Sequence, residues 1–206
     1  MTHLHCDHWP LWIGDKKALR TREWLQSRSI SALVNVTADL PNVHDGLDYH
    51  TLQCEDTEAA APQVALDAAL DTTLAQIESW LAKGRNVLVH CHAGRSRSAT
   101  IVLAHLMSRR RIPLVEALEL VSSRRAVLPN RVFYGVLVHR EAEWCSHVTT
   151  TPTRPPEYRV LAHRFMAALQ DAAVALMEKT QREIAEQGRP GLSLAERLAQ
   201  QEQHSV

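Results

Sequence analysis

The residues of this chain that could do chemistry are concentrated between positions 89 and 98, where five residues separate Cys91 from Arg97. The residues before them predict a short buried strand and those after them a helix, with Gly94 in the tight loop between. A helix N-terminus presents unpaired N–H groups and the positive end of the helix dipole, so such a loop binds anions. Arg97 adds a planar group that can hold two phosphate oxygens. The same field stabilises a thiolate, and we therefore expect Cys91 to be an ionised nucleophile at neutral pH.

A structural interpretation of these residues has to be weighed against the chemical one. An isolated cysteine is usually a small buried hydrophobic residue, and an isolated arginine is usually a solvated surface charge. Here Cys91, Gly94, Arg97 and Ser98 lie together at the end of a predicted strand and the start of a predicted helix. That context favours the chemical interpretation.

The elements needed to position this loop follow from the hydrophobic pattern. Short apolar runs predict strands over residues 11–13, 31–36, 49–54 and 86–90. Apolar residues at helical spacing predict helices over residues 16–28, 62–83, 99–107, 113–123 and 131–145. Because strands alternate with helices, we predict an α/β fold with a central, mostly parallel sheet of about four to five strands flanked by helices.

The composition changes at Thr149, where threonines and three prolines follow in a short span. We predict a catalytic domain over residues 1–147, a Thr/Pro-rich linker over 148–157 and a helical extension over 158–206. The extension has an apolar stripe and balanced charge, so we expect it to pack on the domain or on a second copy of the chain. A homo-oligomer formed through these helices is therefore one predicted assembly.

Composition narrows the class of protein further. Lys and Arg together number 23, as do Asp and Glu, and this balance argues against a general nucleic-acid binder. The four cysteines are too few, and too irregularly spaced, for a secreted disulfide framework. No signal peptide and no run of about eighteen apolar residues is present, so we expect no transmembrane segment. We predict a reduced, cytoplasmic protein.

A second pattern, at the N-terminus, has the spacing of a metal site. His3, His5, Asp7 and His8 follow the His-x-His-x-Asp-His pattern of zinc hydrolases. That pattern normally follows a strand well inside its domain, whereas here it begins at residue 3. We therefore interpret these residues as an N-terminal arm and predict no metal site.

The loop pattern extends into a family resemblance. His90-Cys91-x5-Arg97-Ser98 resembles the signature of the protein tyrosine phosphatase superfamily, and the form His-Cys-x-Ala-Gly-x-Ser-Arg-Ser is the one seen in dual-specificity phosphatases. The Val-Asn-Val-Thr run that ends at Thr37 and the Pro-Asn pair at Asn130 are also similar to that domain. The resemblance covers about residues 11–144 and implies a protein tyrosine phosphatase-like fold.

The resemblance implies a two-step reaction through a phosphocysteine intermediate, with no metal and no cofactor. Its general acid is an aspartate on an upstream loop, and Asp56 occupies the matching position. Glu55 is the neighbouring alternative, Asp39 and Asp45 are weaker ones, and helix capping is the structural alternative for Asp56. Ser98 matches the hydroxyl that hydrogen-bonds the cysteine sulfur, although it would also serve as a helix cap.

The remaining site residues are expected to bind phosphate or to support the loop. Three oxygens of the phosphate would be held by backbone amides of His92, Ala93, Gly94, Arg95, Ser96 and Arg97. His90 is expected to orient the loop through hydrogen bonds. Asn130 is expected to support the loop structurally.

Several functional questions stay open at this level. The resemblance implies a phosphoprotein substrate carrying phosphotyrosine together with phosphoserine or phosphothreonine. A similar loop occurs in phosphatases of phosphatidylglycerophosphate and phosphoinositides, where Arg95 would grip a second anionic group of the headgroup. A phosphate-binding module without turnover is the other alternative. Cys54 is either a buried strand cysteine or a partner for Cys91 in a reversible disulfide.

Overall fold

The structure is a computed structural model. It describes residues 2–4, 10–57 and 59–145, together with residues 174, 177, 178 and 182. The chain divides into two compact units, residues 1–165 and 166–206. The four described residues of the second unit are helical. The predicted linker and most of the predicted extension lie outside the described residues, so the domain boundaries stay predictions.

Strands and helices alternate through most of the first unit. The strands are β1 (Thr2–Leu4), β2 (Leu11–Gly14), β3 (Ile30–Asn35), β4 (Asp48–Thr51) and β5 (Asn86–His90). The helices are α1 (Arg22–Ser27), α2 (Ala60–Ala82), α3 (Arg97–Arg110), α4 (Leu114–Ser122) and α5 (Arg131–Trp144), and a 3-10 turn covers Lys16–Leu19.

The five strands form one sheet in the order β1-β2-β5-β3-β4. Strands β2, β5, β3 and β4 are parallel to their neighbours, and β1 pairs with β2 in the antiparallel sense. The predicted α/β fold with a mostly parallel sheet is therefore confirmed. Parallel pairing places the carboxyl ends of β2, β3, β4 and β5 on the same edge of the sheet, which is where ligands bind in sheets of this kind.

The sheet is covered on both faces because side chains alternate along its central strand. Val87 and Val89 of β5 belong to the larger apolar cluster, which includes residues of α2, α3, α4 and α5. Leu88, between them, belongs to a smaller cluster with Leu25 of α1 and Leu33 of β3. A strand that is buried on both faces reads as a continuous apolar run, as residues 87–89 do.

Two predicted elements differ from the structure, and one strand was not predicted. The helix predicted over residues 16–28 is interrupted, because a 3-10 turn precedes α1. The strand predicted to reach Cys54 ends at Thr51. Its neighbour β3 ends at Asn35, and the pair Asn35–Thr51 is the last in the ladder, so the residues beyond lack a strand to pair with. The short edge strand β1 was missed because three residues carry no measurable periodicity.

Membrane-spanning helices and metal-binding clusters were looked for within the described residues. Among them, no helix has the length and apolar character that crossing a membrane requires. No group of three or more metal-binding side chains occurs within the ranges the structure describes. His5, Asp7 and His8 lie outside those ranges.

Candidate active site

The predicted site residues come from segments that follow the parallel strands. Asp15 follows β2, Asp39 lies beyond β3, Asp56 lies beyond β4 and Cys91 directly follows β5. Because the carboxyl ends of these strands share one edge, residues that are up to 76 positions apart (91 minus 15) can meet there. The loop from Cys91 to Arg97 occupies the centre of this edge, since β5 lies between β2 and β3.

The Cys91 sulfur lies in a hydrogen-bonding environment that suits a thiolate. The residue is buried, and the backbone N–H of Gly94 donates to its Sγ at 3.2 Å. The Oγ of Ser98, which is fully buried in the first turn of α3, lies 3.2 Å from the same sulfur. Donors to sulfur and a helix N-terminus both stabilise the negative form of a thiol.

The carbonyl groups of the loop point towards the surrounding scaffold. The His92 carbonyl accepts from the backbone N–H of Lys16 at 3.1 Å, and the Arg95 carbonyl accepts from that of Leu128 at 2.9 Å. Arg125 donates from Nε to the Gly94 carbonyl at 2.8 Å and from Nη2 to the Ala93 carbonyl at 3.2 Å. With its carbonyls held outside, the loop turns its N–H edge inward, as an anion-binding loop requires.

Gly94 is required at its position by both conformation and space. Its φ is +66°, in the left-handed region that costs other residues energy. A Cβ there would lie 2.6 Å from the carbonyl oxygen of Gly14 at the end of β2. The loop therefore packs backbone against backbone on the neighbouring strand, and no side chain fits between them.

Arg97 is buried and oriented by the loop that follows β4. Only 6% of its surface is exposed. Its Nη1 donates to the Cys54 carbonyl at 3.0 Å, while its Nε has no hydrogen-bond partner among the described residues. A buried guanidinium with an unused N–H is suited to a bidentate hold on an oxyanion.

Asp56 approaches the loop from the segment that follows β4. Its Oδ1 accepts from the Ser96 hydroxyl at 2.7 Å and from Nδ2 of Asn130 at 3.0 Å. Its Oδ2 lies 3.5 Å from Nε of Arg97, and 33% of its side chain is exposed. Helix α2 begins four residues later with Ala59 as its N-cap, so Asp56 does not cap that helix.

The alternative acids lie in other surroundings. Asp39 is exposed and both its oxygens lie within 2.9 Å of Nε2 of His92. This hydrogen bond is the main cause that lowers the pKa of Asp39. Glu55 and Asp45 are exposed. Asp56 is also exposed, and its carboxyl group contacts the side chains of Ser96 and Arg97 in the loop.

Two other residues of the site are buried and electrically neutral. Burial, followed by the influence of His92, lowers the pKa of His90 to about 4. Neither ring nitrogen of His90 has a hydrogen-bond partner in the described part of the chain, so the expected orientation of the loop through its hydrogen bonds is not seen. Burial is also the main cause that raises the pKa of Cys54 to about 11, partly offset by Arg97. The disulfide between Cys54 and Cys91 stays a prediction.

Two residues of the site were missed from the sequence. Arg125 lies beyond α4, where nothing distinguishes it from the arginine beside it. Asp15 directly follows the first predicted strand and lies 3.6 Å from Nη2 of Arg125. A charged residue at the carboxyl end of a parallel strand is the signal that identifies Asp15. No signal in a single sequence identifies Arg125.

Comparison with known proteins agrees with this geometry. The family model of the dual specificity phosphatase catalytic domain matches residues 11–143. The chain is 37% identical over 149 residues to dual specificity protein phosphatase 1-B of Xenopus laevis, which covers 69% of this chain and 39% of that protein. It is 38% identical over 135 residues to the human dual specificity protein phosphatase 1, covering 65% and 36%.

Solved structures give the same result. The crystal structure of human DUSP28 is similar with a TM-score of 0.62 and 28% identity, over 69% of this chain and 96% of that one. The chain spans about two fifths of the length of the first curated relative it matches. The family match over residues 11–143 agrees with the resemblance predicted for residues 11–144. The chain belongs to the dual-specificity phosphatase family of the protein tyrosine phosphatase superfamily.

Proposed function

We propose that this protein is a cysteine-dependent phosphomonoester hydrolase that acts on phosphotyrosine and on phosphoserine or phosphothreonine in proteins. The observation that carries the proposal is the placement of the Cys91 sulfur, 3.2 Å from both the Gly94 N–H and the Ser98 hydroxyl. A buried arginine and a carboxylate flank this sulfur's loop. Membership of the family supports the choice of a phosphoprotein substrate.

In the first step the Cys91 sulfur attacks phosphorus while the bond between phosphorus and the leaving oxygen breaks. The loop amides and Arg97 hold the three remaining oxygens and stabilise the charge that develops on them. The leaving oxygen takes a proton from Asp56, which acts as the general acid. The product is a phosphocysteine and a free hydroxyl group on the substrate.

In the second step a water molecule attacks the phosphocysteine. Asp56, now a carboxylate, takes a proton from this water, and the bond between sulfur and phosphorus breaks. The Ser98 hydroxyl, 3.2 Å from Sγ, stabilises the thiolate that leaves. Inorganic phosphate is released and the enzyme returns to its starting state.

Hydrolysis of p-nitrophenyl phosphate, without metal and with a reducing agent, tests the proposal. Cys91→Ser should abolish turnover, whereas Cys145→Ser should not, because that thiol lies beyond α5 and donates to the Ile112 carbonyl. With phenyl phosphate, whose basic leaving oxygen needs a proton, Asp56→Asn should lower kcat by about 10²- to 10⁴-fold, as expected for loss of a general acid. Glu55→Gln is its exposed neighbouring control. Activity retained by Cys91→Ser would contradict the proposal.

Substrate class is tested separately, by comparing phosphotyrosine and phosphothreonine peptides with phosphatidylglycerophosphate in detergent micelles. We expect release of phosphate from both peptides at a kcat/KM well above that for the lipid. A higher kcat/KM for the lipid would indicate that the substrate is a phospholipid headgroup. Binding of the phosphorylated compounds without hydrolysis would indicate a non-catalytic module.

The proposal also covers the domain boundaries, the assembly and the cellular location of the protein. We infer a catalytic domain over residues 1–147 and a linker that leads to helices able to join two copies. Sedimentation of the full chain and of a chain ending at residue 147 tests this. Sedimentation of the full chain as a monomer would contradict it. A nucleophilic thiol favours a reducing, cytoplasmic location.

A further inference from the structure

The carboxyl group of Asp56 is held by two side chains for which phosphate binding gives no reason. The Ser96 hydroxyl donates to Asp56 Oδ1 at 2.7 Å, and the Asn130 side chain donates from Nδ2 to the same oxygen at 3.0 Å. Ser96 and Asn130 are themselves joined, because the Asn130 backbone N–H donates to Ser96 Oγ at 3.1 Å. The three residues, which come from three separate segments, close a ring of hydrogen bonds.

This ring is attached to rigid parts of the fold. Asn130 is the N-cap of α5, and its Oδ1 accepts from the backbone N–H of Phe133 at 2.9 Å. That bond fixes the plane of the amide and so the direction in which Nδ2 donates. Nδ2 also donates to the Thr57 carbonyl at 3.2 Å, in the residue next to Asp56. Ser96 is buried at the start of α3.

The two oxygens of the carboxyl group are consequently not equivalent. Oδ1 receives two donors, which fill the two lone-pair directions of a carboxyl oxygen. Oδ2 instead lies 3.5 Å from Nε of Arg97, the residue proposed to hold the phosphate. A proton on the carboxyl group therefore belongs on Oδ2, since Oδ1 is already an acceptor for both neighbours.

We propose that Ser96 and Asn130 are positioning residues that hold Asp56 so that Oδ2 delivers the proton to the leaving oxygen. This inference rests on the proposed function, in which Asp56 is the general acid. As the bond between phosphorus and oxygen breaks, its electron pair stays with the leaving oxygen, which takes the proton from Oδ2. The electron pair of the broken O–H bond remains on the carboxylate, whose new charge is stabilised by the donors from Ser96 and Asn130 and by Arg97.

The dependence of rate on the leaving group tests this role. A general acid matters for poor leaving groups and hardly at all for good ones, because only a basic leaving oxygen needs the proton. We would measure kcat/KM for p-nitrophenyl phosphate, which has a good leaving group, and for phenyl phosphate, which has a poor one. The variants are Ser96→Ala and Asn130→Ser, the latter keeping an N-cap side chain.

Both variants should lose about 10- to 100-fold in kcat/KM for phenyl phosphate, in the range of a misplaced catalytic group, and less than about threefold for p-nitrophenyl phosphate. Ser96→Thr, which keeps the hydroxyl, should recover much of the loss. Ser123→Ala, which removes an exposed hydroxyl, is the matched control and should change neither rate. Adding Ser96→Ala to Asp56→Asn should cause no further selective loss.

The outcomes separate this inference from the proposal on which it rests. If Asp56→Asn lowers both rates equally, Asp56 is not the acid and the proposed mechanism is wrong. If Asp56→Asn lowers the phenyl phosphate rate selectively but Ser96→Ala lowers both rates equally, Ser96 serves only the loop and the positioning role is refuted. Thermal unfolding of each variant checks that the fold is retained.

Discussion

Replacing Gly94 by alanine should damage catalysis much more than stability. The backbone at this position has a φ of +66°, which costs a residue with a Cβ about 1–2 kcal/mol. The new Cβ would also stand 2.6 Å from the Gly14 carbonyl oxygen, against an ordinary carbon–oxygen separation of about 3.3 Å. Since Gly14 belongs to β2, which is fixed in the sheet, the loop has to retreat by about 0.7 Å (3.3 − 2.6).

A retreat of this size moves the backbone group that contacts the Cys91 sulfur. The Gly94 N–H donates to the Cys91 sulfur, and the Gly94 carbonyl accepts from Arg125. A displacement of about 1 Å in a catalytic constellation lowers rates by about 10²-fold. We therefore expect kcat/KM for p-nitrophenyl phosphate to fall by about 100-fold, together with a weaker affinity for orthovanadate.

Gly46→Ala is a matched control for this experiment. Gly46 has a φ of +79°, and no heavy atom lies within 4 Å of the place that a Cβ would take, so the substitution brings the same backbone strain without a contact. Its free energy of unfolding in urea should fall by about 1–2 kcal/mol, and its kcat/KM should stay within about twofold. Gly94→Ala with activity within about threefold of the parent would refute the reasoning, as would an equal loss of activity in folded Gly46→Ala.

Three further predictions concern the scaffold. Arg125→Met removes two charge-assisted bonds to the loop, including that to the Gly94 carbonyl, and should lower kcat/KM by about 10- to 100-fold in a steady-state assay; unchanged kinetics would contradict the positioning of the loop by this residue. Burial, together with two nearby arginines, lowers the pKa of His105 from 6.5 to about 4. Between these pH values the unfolded chain binds a proton that the folded chain does not. The free energy of unfolding therefore falls as the pH drops from about 6.5 towards 4. Between pH 7 and pH 5 the free energy of unfolding should fall by about 2 kcal/mol, as measured by urea titrations at both pH values. In His105→Gln this fall should be smaller, and an equal fall in variant and parent would contradict the assignment to His105. Arg140→Leu breaks the pair between α5 and Asp67 of α2 (2.8 Å) and should lower the free energy of unfolding by about 1 kcal/mol in urea, with kcat/KM unchanged; a loss of activity without a loss of stability would be inconsistent with a structural role.

The conformation of the loop from Cys91 to Arg97 was predictable because its parts are neighbours in the chain. Cys91, Gly94, Arg97 and Ser98 lie within eight positions, and the strand before them and the helix after them follow from local periodicity. Hydrogen bonds within so short a segment depend on backbone geometry that the residue types themselves favour. The fold class was predictable for a similar reason, since the alternation of strands and helices implies a parallel sheet.

The role of Asp56 was only partly predictable from the sequence. Its place after the strand now defined as β4 was visible, but a loop aspartate is as easily a helix cap, and only the family resemblance favoured the acid over Glu55 or Asp39. In the structure β4 ends three residues earlier than expected, at Thr51, and the freed segment is what reaches the loop. Strand ends depend on the length of the neighbouring strand, which a single sequence does not specify.

The hydrogen bonds that join distant segments around the site could be identified only from the tertiary structure. Asn130 lies 74 positions from Asp56 and 34 from Ser96 in the chain, yet the three form one hydrogen-bonded ring. Arg125 likewise reaches the Gly94 carbonyl from 31 positions away. Such bonds exist only where strand order and helix packing bring the segments within about 3 Å, and a polar residue in a loop has no local pattern that indicates its partner. The loop from Cys91 to Arg97 could thus be predicted from neighbouring residues, whereas the groups that hydrogen-bond to the loop and to Asp56 come together only in the packed fold.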